Sequence, residues 1–222
     1  MDGSDIEIKG RVKEKLIEAK QKWAREGRLL TGAGAEPTQS RLPPGQRLVS
    51  DWPILDLGAE PDVTPLRFRL DVDGAVENRL SLSLEQFMGL PQTECVSDIH
   101  CVTQWSRYDN RWRGVLGRDI LRVIRPRPEA RHVILHAYDG YTTNLRLEQF
   151  AAPDVLLAHQ WDGKPLPRAH GGPLRMVVPQ LYFWKSAKWI RRIQFTLSDS
   201  PGFWERRGYH NNADPWAEER YK

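Results

Sequence analysis

LLAHQWDGKPLPRAHGGPLRMVVPQLYFWKSAKWIRRIQF, residues 156–195, decides how this chain is read. VLLAHQW (155–161) is an apolar run of strand length, and Asp162-Gly163 ends it with a pair that turns a chain tightly. LRMVVP (174–179) and KWIRRIQFTL (188–197) read as two further strands. Just before LRMVVP, Gly171-Gly172-Pro173 forbids regular structure, so this region is strand, turn and loop rather than helix.

Working outward, the same grammar recurs. LRFRLDV (66–72) alternates apolar and polar side chains into Asp73-Gly74, and LSLSL (80–84) alternates too. TECVSDIHC (93–101) reads as a strand. RHVILHA (131–137) reads as a buried strand followed by Asp139-Gly140. Short helices are expected at 84–89, 117–124 and 146–151, the second carrying Ile120, Leu121 and Ile124 on one face. Residues 5–28 form a longer amphipathic pattern through Val12, Leu16, Ala19 and Trp23. That helix either packs on the domain surface or docks on a membrane surface or partner. Arg28–Gln46 reads as a linker. The expected organisation is therefore 1–46 as helix and linker, and 47–222 as one strand-rich, mixed α+β domain. There is no βαβ repeat and no internal repeat. GAGAE (32–36) follows no strand and carries no nucleotide fingerprint.

Of the 222 residues, 40% are apolar, enough for a sizeable core. The net charge of +4 permits an anionic ligand, and no nucleic-acid signature accompanies it. Eight Lys or Arg fall between Lys9 and Arg28. No apolar run reaches the roughly 20 residues of a membrane span, and no signal peptide is evident, so a cytoplasmic location with reduced cysteines is expected. Cys95 and Cys101 are six residues apart in one expected strand. That places their Cα atoms roughly 20 Å apart, too far to pair without a sharp turn.

Three stretches carry chemistry. Cys101, in HCVTQWSRYDNRWRGV, offers a thiolate suited to a soft or high-valent metal, or a small core side chain. His170 and Arg175 flank the Gly-Gly-Pro turn, followed by Lys185, Ser186, Ala187 and Lys188. An arginine fork, two lysines and backbone N–H groups there form either a phosphate cradle or a basic hairpin edge. PGFWERRGYHNNADPW (201–216), with Tyr209 and His210, is either a catalytic rim or a tail packed by its tryptophans.

In this order, the three stretches resemble the molybdopterin-binding domain of sulfite oxidases, assimilatory nitrate reductases and bacterial protein-methionine-sulfoxide reductases. Residues 156–195 follow the family's pattern of Asn-Gly-x-Pro-Leu-Pro, His-Gly-x-Pro-x-Arg, Val-Val-Pro and Lys-Trp, with Asp162 in place of Asn. The resemblance implies the sulfite-oxidase fold, with molybdenum and molybdopterin as cofactors. It implies Cys101 as metal ligand, and cofactor contacts from Asp51, Trp52, His136, His170, Arg175, Ser186, Ala187 and Lys188. It places Tyr209 at the reacting centre, with Arg206 and Arg207 beside an anionic substrate. The implied activity is oxygen-atom or two-electron transfer on a sulfur or nitrogen oxide, an oxyanion or a sulfoxide. Two departures stand out. Ser50 sits near the position where sulfite oxidases carry an oxyanion-binding arginine, and Cys101 is followed by Val-Thr-Gln-Trp, a form closer to the methionine-sulfoxide reductases. Six residues follow Trp216, so no further domain is expected there, and electrons are expected to pass to or from a separate partner.

Overall fold

The computed structural model describes residues 3–25, 41–56, 58 and 60–222, with the side chains of residues 13–23 and 25 in the first helix. GAGAE and most of the expected linker lie outside the described residues. The first element is helix α1 (Gly3–Arg25). There follow β1 (Arg47–Leu48), β2 (Leu70–Gly74), β3 (Leu80–Leu82), α2 (Leu84–Met88), β4 (Thr93–His100), β5 (Trp105–Leu116) and α3 (Gly117–Ile124). The chain continues through β6 (His132–Ala137), β7 (Thr142–Arg146), α4 (Leu147–Phe150), β8 (Leu156–Trp161), β9 (Lys164–Pro165), β10 (Arg175–Val177) and β11 (Ile190–Thr196). This is the strand-rich α+β domain expected.

The strands form two mixed sheets. One runs β3-β2-β11-β6-β7, with β2 and β11 parallel and the other pairs antiparallel. The other runs β1-β5-β8-β10, with β4 added to β5 and β9 to β8. Both faces of this second sheet are covered, and the period of two along each strand sorts its side chains between two cores. Val115, Leu157 and Met176 join the larger core shared with the other sheet, among Val133, Ile193 and Phe195. Their neighbours Leu116, Leu156, Ala158 and Val177 face the opposite way, into a tryptophan-rich core that contains Cys101. Double coverage explains why VLLAHQW reads as a continuous apolar run rather than an alternating one. At Gly114 an added Cβ would stand 1.9 Å from the Leu157 carbonyl oxygen, so a glycine is required for β5 to approach β8.

Several boundaries differ from expectation. LRFRLDV becomes strand only at Leu70, because Arg67 and Phe68 both donate to the Thr64 carbonyl and wind the chain into a turn that leaves Leu66 exposed. Cys101 lies just beyond β4, in the turn leading to β5, where its N–H meets the Trp105 carbonyl at 2.8 Å and its carbonyl accepts from Gln104. Strand β5, the return arm of that hairpin, was not read from the sequence, nor was β7. Its charged residues Arg107, Asp109, Arg111 and Arg113 mask the apolar positions.

Lys185 is not part of a basic edge. It is 1% exposed and its Nζ lies 2.7 Å from Glu205 Oε1, itself wholly buried. Thr143 and the Trp184 indole donate to the same oxygen, while Lys185 also donates to Asn144. The pair ties the segment at 183–188 to the loop at 201–209. Lys185→Met should therefore cost about 3–5 kcal/mol, since it strands a buried carboxylate. Urea unfolding measures this, and a loss below about 1 kcal/mol would show that the pair contributes little.

Candidate functional site

The turn after β4, the Gly-Gly-Pro turn before β10 and the loop at 201–209 converge on one cavity. Its wall includes Trp52, Cys101, His170, Arg175, Ser186, Ala187, Lys188 and Tyr209, eight of the residues the sequence singled out. Four others stand elsewhere. His136 lies in the other sheet and faces Gln194 at 3.2 Å, because its place in β6 is set by pairing with β11. Asp51 is exposed and outside the wall. Arg206 donates to the Pro201 carbonyl, and Arg207 stacks on Phe203 at 3.8 Å. The short helical turn at 205–207 buries Glu205 and directs both arginines away. His210 is likewise off the wall, bound to the N–H groups of Asn212 and Ala213.

Cys101 is 6% exposed. Burial pushes its thiol up, against a smaller downward pull from the Thr103 hydroxyl at 3.1 Å. A free thiol so placed stays protonated, which argues against metal-free thiol chemistry and suits a group that a bound metal deprotonates. Cys95, the other cysteine, is also unpaired.

Arg175 is 2% exposed. Its Nε and two terminal nitrogens donate to the carbonyls of Met176 (3.2 Å), His170 (2.6 Å) and Ser186 (2.8 Å). The fork expected to grip a phosphate from both sides is thus largely turned onto the main chain. The charge remains, and the Trp52 and Phe183 rings lie at 5.3 and 4.3 Å from the guanidinium. Burial alone lowers its pKa to about 9. Lys188 donates to the Ala169 carbonyl at 2.7 Å, and burial followed by repulsion from Arg175 brings it down to about 8. Neither cation forms an ion pair among the described residues. The N–H groups of Ala187 and Lys188 have no protein acceptor there either, whereas Ser186 has used its N–H on Phe183 and accepts Val178 N–H on its hydroxyl. Buried positive charge and open N–H donors on one wall require an anion. A phosphorylated cofactor fits that wall.

His170 stacks on Trp52 at 3.8 Å and 12°. Burial, then Arg175, Lys188 and Arg107, depress its pKa to about 4, so it presents a neutral ring. Tyr209 is held by stacking on Trp204 at 4.9 Å and by the edges of Trp184 and Tyr221. Burial raises its phenol far above the ordinary value, leaving a neutral hydrogen-bonding group facing the cavity. Among the described residues no three His, Cys, Asp or Glu converge on a metal, so a metal beside Cys101 would draw its other ligands from its own organic group.

Sequence reasoning missed several wall residues. Trp105 follows Cys101 by four and returns beside it through the hairpin. Asp139 was read only as part of a turn, and Tyr141 was not singled out. Lys20 comes from α1, far away in sequence, and no local signal marks it.

Residues 57–204 match the oxidoreductase molybdopterin binding domain. The oxidoreductase YuiH of Bacillus subtilis (strain 168) is 49% identical over 184 residues, covering 82% of this chain and 92% of its own. The catalytic subunit MsrP of the protein-methionine-sulfoxide reductase of Gluconobacter oxydans is 31% identical over 174 residues, covering 68% of this chain and 55% of its own. Sulfite oxidase of Gallus gallus is 31% identical over 180 residues, covering 67% and 39%. The chain thus spans about half or less of these last two relatives. The sulfane dehydrogenase SoxCD of Paracoccus pantotrophus shares the fold at a TM-score of 0.59 and 21% identity, over 67% of this chain and 42% of that one. With a motif-bearing cavity at its centre and these relatives around it, the chain belongs to the molybdopterin-binding oxidoreductase family related to sulfite oxidase and methionine-sulfoxide reductase.

Proposed function

We propose that this protein is a molybdenum-dependent oxidoreductase acting on an oxidised sulfur or nitrogen compound, by oxygen-atom or two-electron transfer. The observation that carries the reading is one soft sulfur, Cys101, on the same wall as a buried cation, Arg175, and a half-buried one, Lys188, both without carboxylate partners among the described residues. Molybdopterin, when bound, would supply two dithiolene sulfurs, a phosphate and a metal able to change its oxidation state by two. Cys101 would hold that metal. Lys188, the charge of Arg175 and the open N–H groups of Ala187 and Lys188 would hold the phosphate. The stacked His170 and Trp52 would flank the pterin, and neutral Tyr209 would offer a hydrogen bond at the reacting side. Its tight aromatic packing keeps that phenol oriented and excludes water. We assign electron exchange to a separate partner and activity to the cytoplasm. The related MsrP is named a catalytic subunit, which supports a separate partner for the electrons.

Two substitutions separate the roles. In protein made with molybdopterin available, Cys101→Ser should abolish turnover and the thiolate-to-metal absorption, while the phosphate wall still retains cofactor. Arg175→Ala should lose bound molybdenum, by roughly tenfold or more for a removed charge-assisted contact. Metal analysis beside dye-linked assays checks both, and equal loading with equal activity in the two variants would sink the assignment.

His170 predicts a pH dependence of the cofactor-free fold. Its folded-state pKa of about 4 lies below the ordinary 6.5, so between those values the unfolded chain takes a proton that the folded one refuses. Stability should rise with pH across that window, with the penalty fully present below pH 4. At pH 5 the contribution is on the order of 2 kcal/mol relative to pH 7. Urea unfolding at both pH values should show a shallower dependence in His170→Gln, and an unchanged slope would show that the ring is charged in the fold.

A further inference from the structure

Helix α1 lies outside the matched residues 57–204, yet it supplies part of the cavity wall. Ile17 is 2% exposed, the Leu16 side chain packs at Gly58, and Gln21 Nε2 donates to the Arg207 carbonyl at 3.1 Å. These contacts fix α1 against the loop that carries Trp204 and Tyr209. In that register Lys20 is half-buried on the wall that holds Cys101. A lysine with a buried stem ordinarily puts its ammonium in water. Lys20 instead lines a cavity and forms no ion pair or hydrogen bond among the described residues, with Asp56 and Cys101 the groups that act on it through space. Burial depresses its pKa, the cost expected of an ammonium that lacks a close counter-charge.

A second group on the same wall makes the same demand. Trp105 is 1% exposed, and its indole nitrogen, which can only donate, meets no acceptor. A cation on the cavity wall and a buried N–H donor without an acceptor on a residue of the same wall suit an acceptor-rich ligand with negative charge. The phosphate of the cofactor already has Lys188, Arg175 and the N–H groups beside them. Lys20 and Cys101 line the same cavity.

We propose that Lys20, delivered by α1, together with the Trp105 indole N–H, selects a small oxyanion as substrate beside Cys101, in preference to a neutral sulfoxide. This rests on the reading of the cavity as a molybdopterin site, and it makes α1 a working wall of the active site.

The test is calorimetric titration of the purified, cofactor-containing protein with sulfate, an unreactive oxyanion, and with dimethyl sulfoxide, at fixed ionic strength, with molybdenum measured in every sample. Sulfate affinity should fall about tenfold or more in Lys20→Met and in Trp105→Phe, the scale of one charge-assisted hydrogen bond. Lys20→Arg should stay within about threefold of the parent. Molybdenum content and dimethyl sulfoxide binding should be the same throughout. Failure of the parent to bind sulfate, or equal sulfate binding by Lys20→Met, overturns the proposal. So does a parallel loss of molybdenum in Lys20→Met, which would place Lys20 in the phosphate cradle. A parent protein that takes up no molybdenum defeats the functional reading itself, whereas a molybdenum-loaded parent with equal sulfate binding in Lys20→Met defeats only the role of Lys20.

Discussion

The guanidinium of Arg175 is the constraint on which the site depends. Three of its N–H groups bind carbonyls from three places in the chain: His170 in the Gly-Gly-Pro turn, Met176 in β10 and Ser186 in the loop beyond. Those bonds set the shape of the turn and of the 183–188 segment, and they account for the five-residue spacing of His170 and Arg175 that makes the stretch recognisable. They do not neutralise the charge. A buried ion without a counter-charge costs several kcal/mol even after relaxation. The fold accepts that cost at the one wall where an anionic cofactor would remove it, so binding and stability are linked there.

A second set of contacts keeps this wall in register with the reacting side. The Lys185–Glu205 pair joins the segment that carries Ala187 and Lys188 to the loop that carries Tyr209. Around it, Trp184, Trp204 and Tyr221 hold the phenol from three directions. Aromatic side chains have few rotatable bonds, so they fix a polar group at small entropic cost. The tryptophans here form a frame for one hydroxyl and one sulfur.

The sequence was most informative where local rules and the site coincide. Asp-Gly pairs marked turns, the continuous apolar run at 155–161 marked a strand covered on both faces, and His170 and Arg175 stood together because one turn holds both. Cys101 was recognisable as a thiol with no disulfide partner. The direction of side chains across the fold was less legible. Arg206 and Arg207 look like substrate ligands in WERRGY, but the turn that buries Glu205 points them outward. Lys185 looks like one more surface charge until Glu205 is placed opposite it. His136 is a plausible ring in a plausible strand, yet β6 belongs to the other sheet. Each misreading concerns a partner far away in sequence, and periodicity carries no information about such partners.

The same limit explains α1. Its amphipathic pattern announces a face that must be covered, and Ile17 meets that demand. Nothing in the pattern says that the covering surface is the rim of a cavity, nor that one residue beside the apolar face will line it. A lysine three positions after a buried isoleucine falls on nearly the same side of a helix. Packing Ile17 against the domain therefore carries Lys20 inward with it, and a helix that needed only to bury an apolar stripe also brings a charge to the sulfur. The lysines of α1, read from sequence as part of a helix that packs on the domain or docks on a membrane surface or partner, have at position 20 a place on the cavity wall.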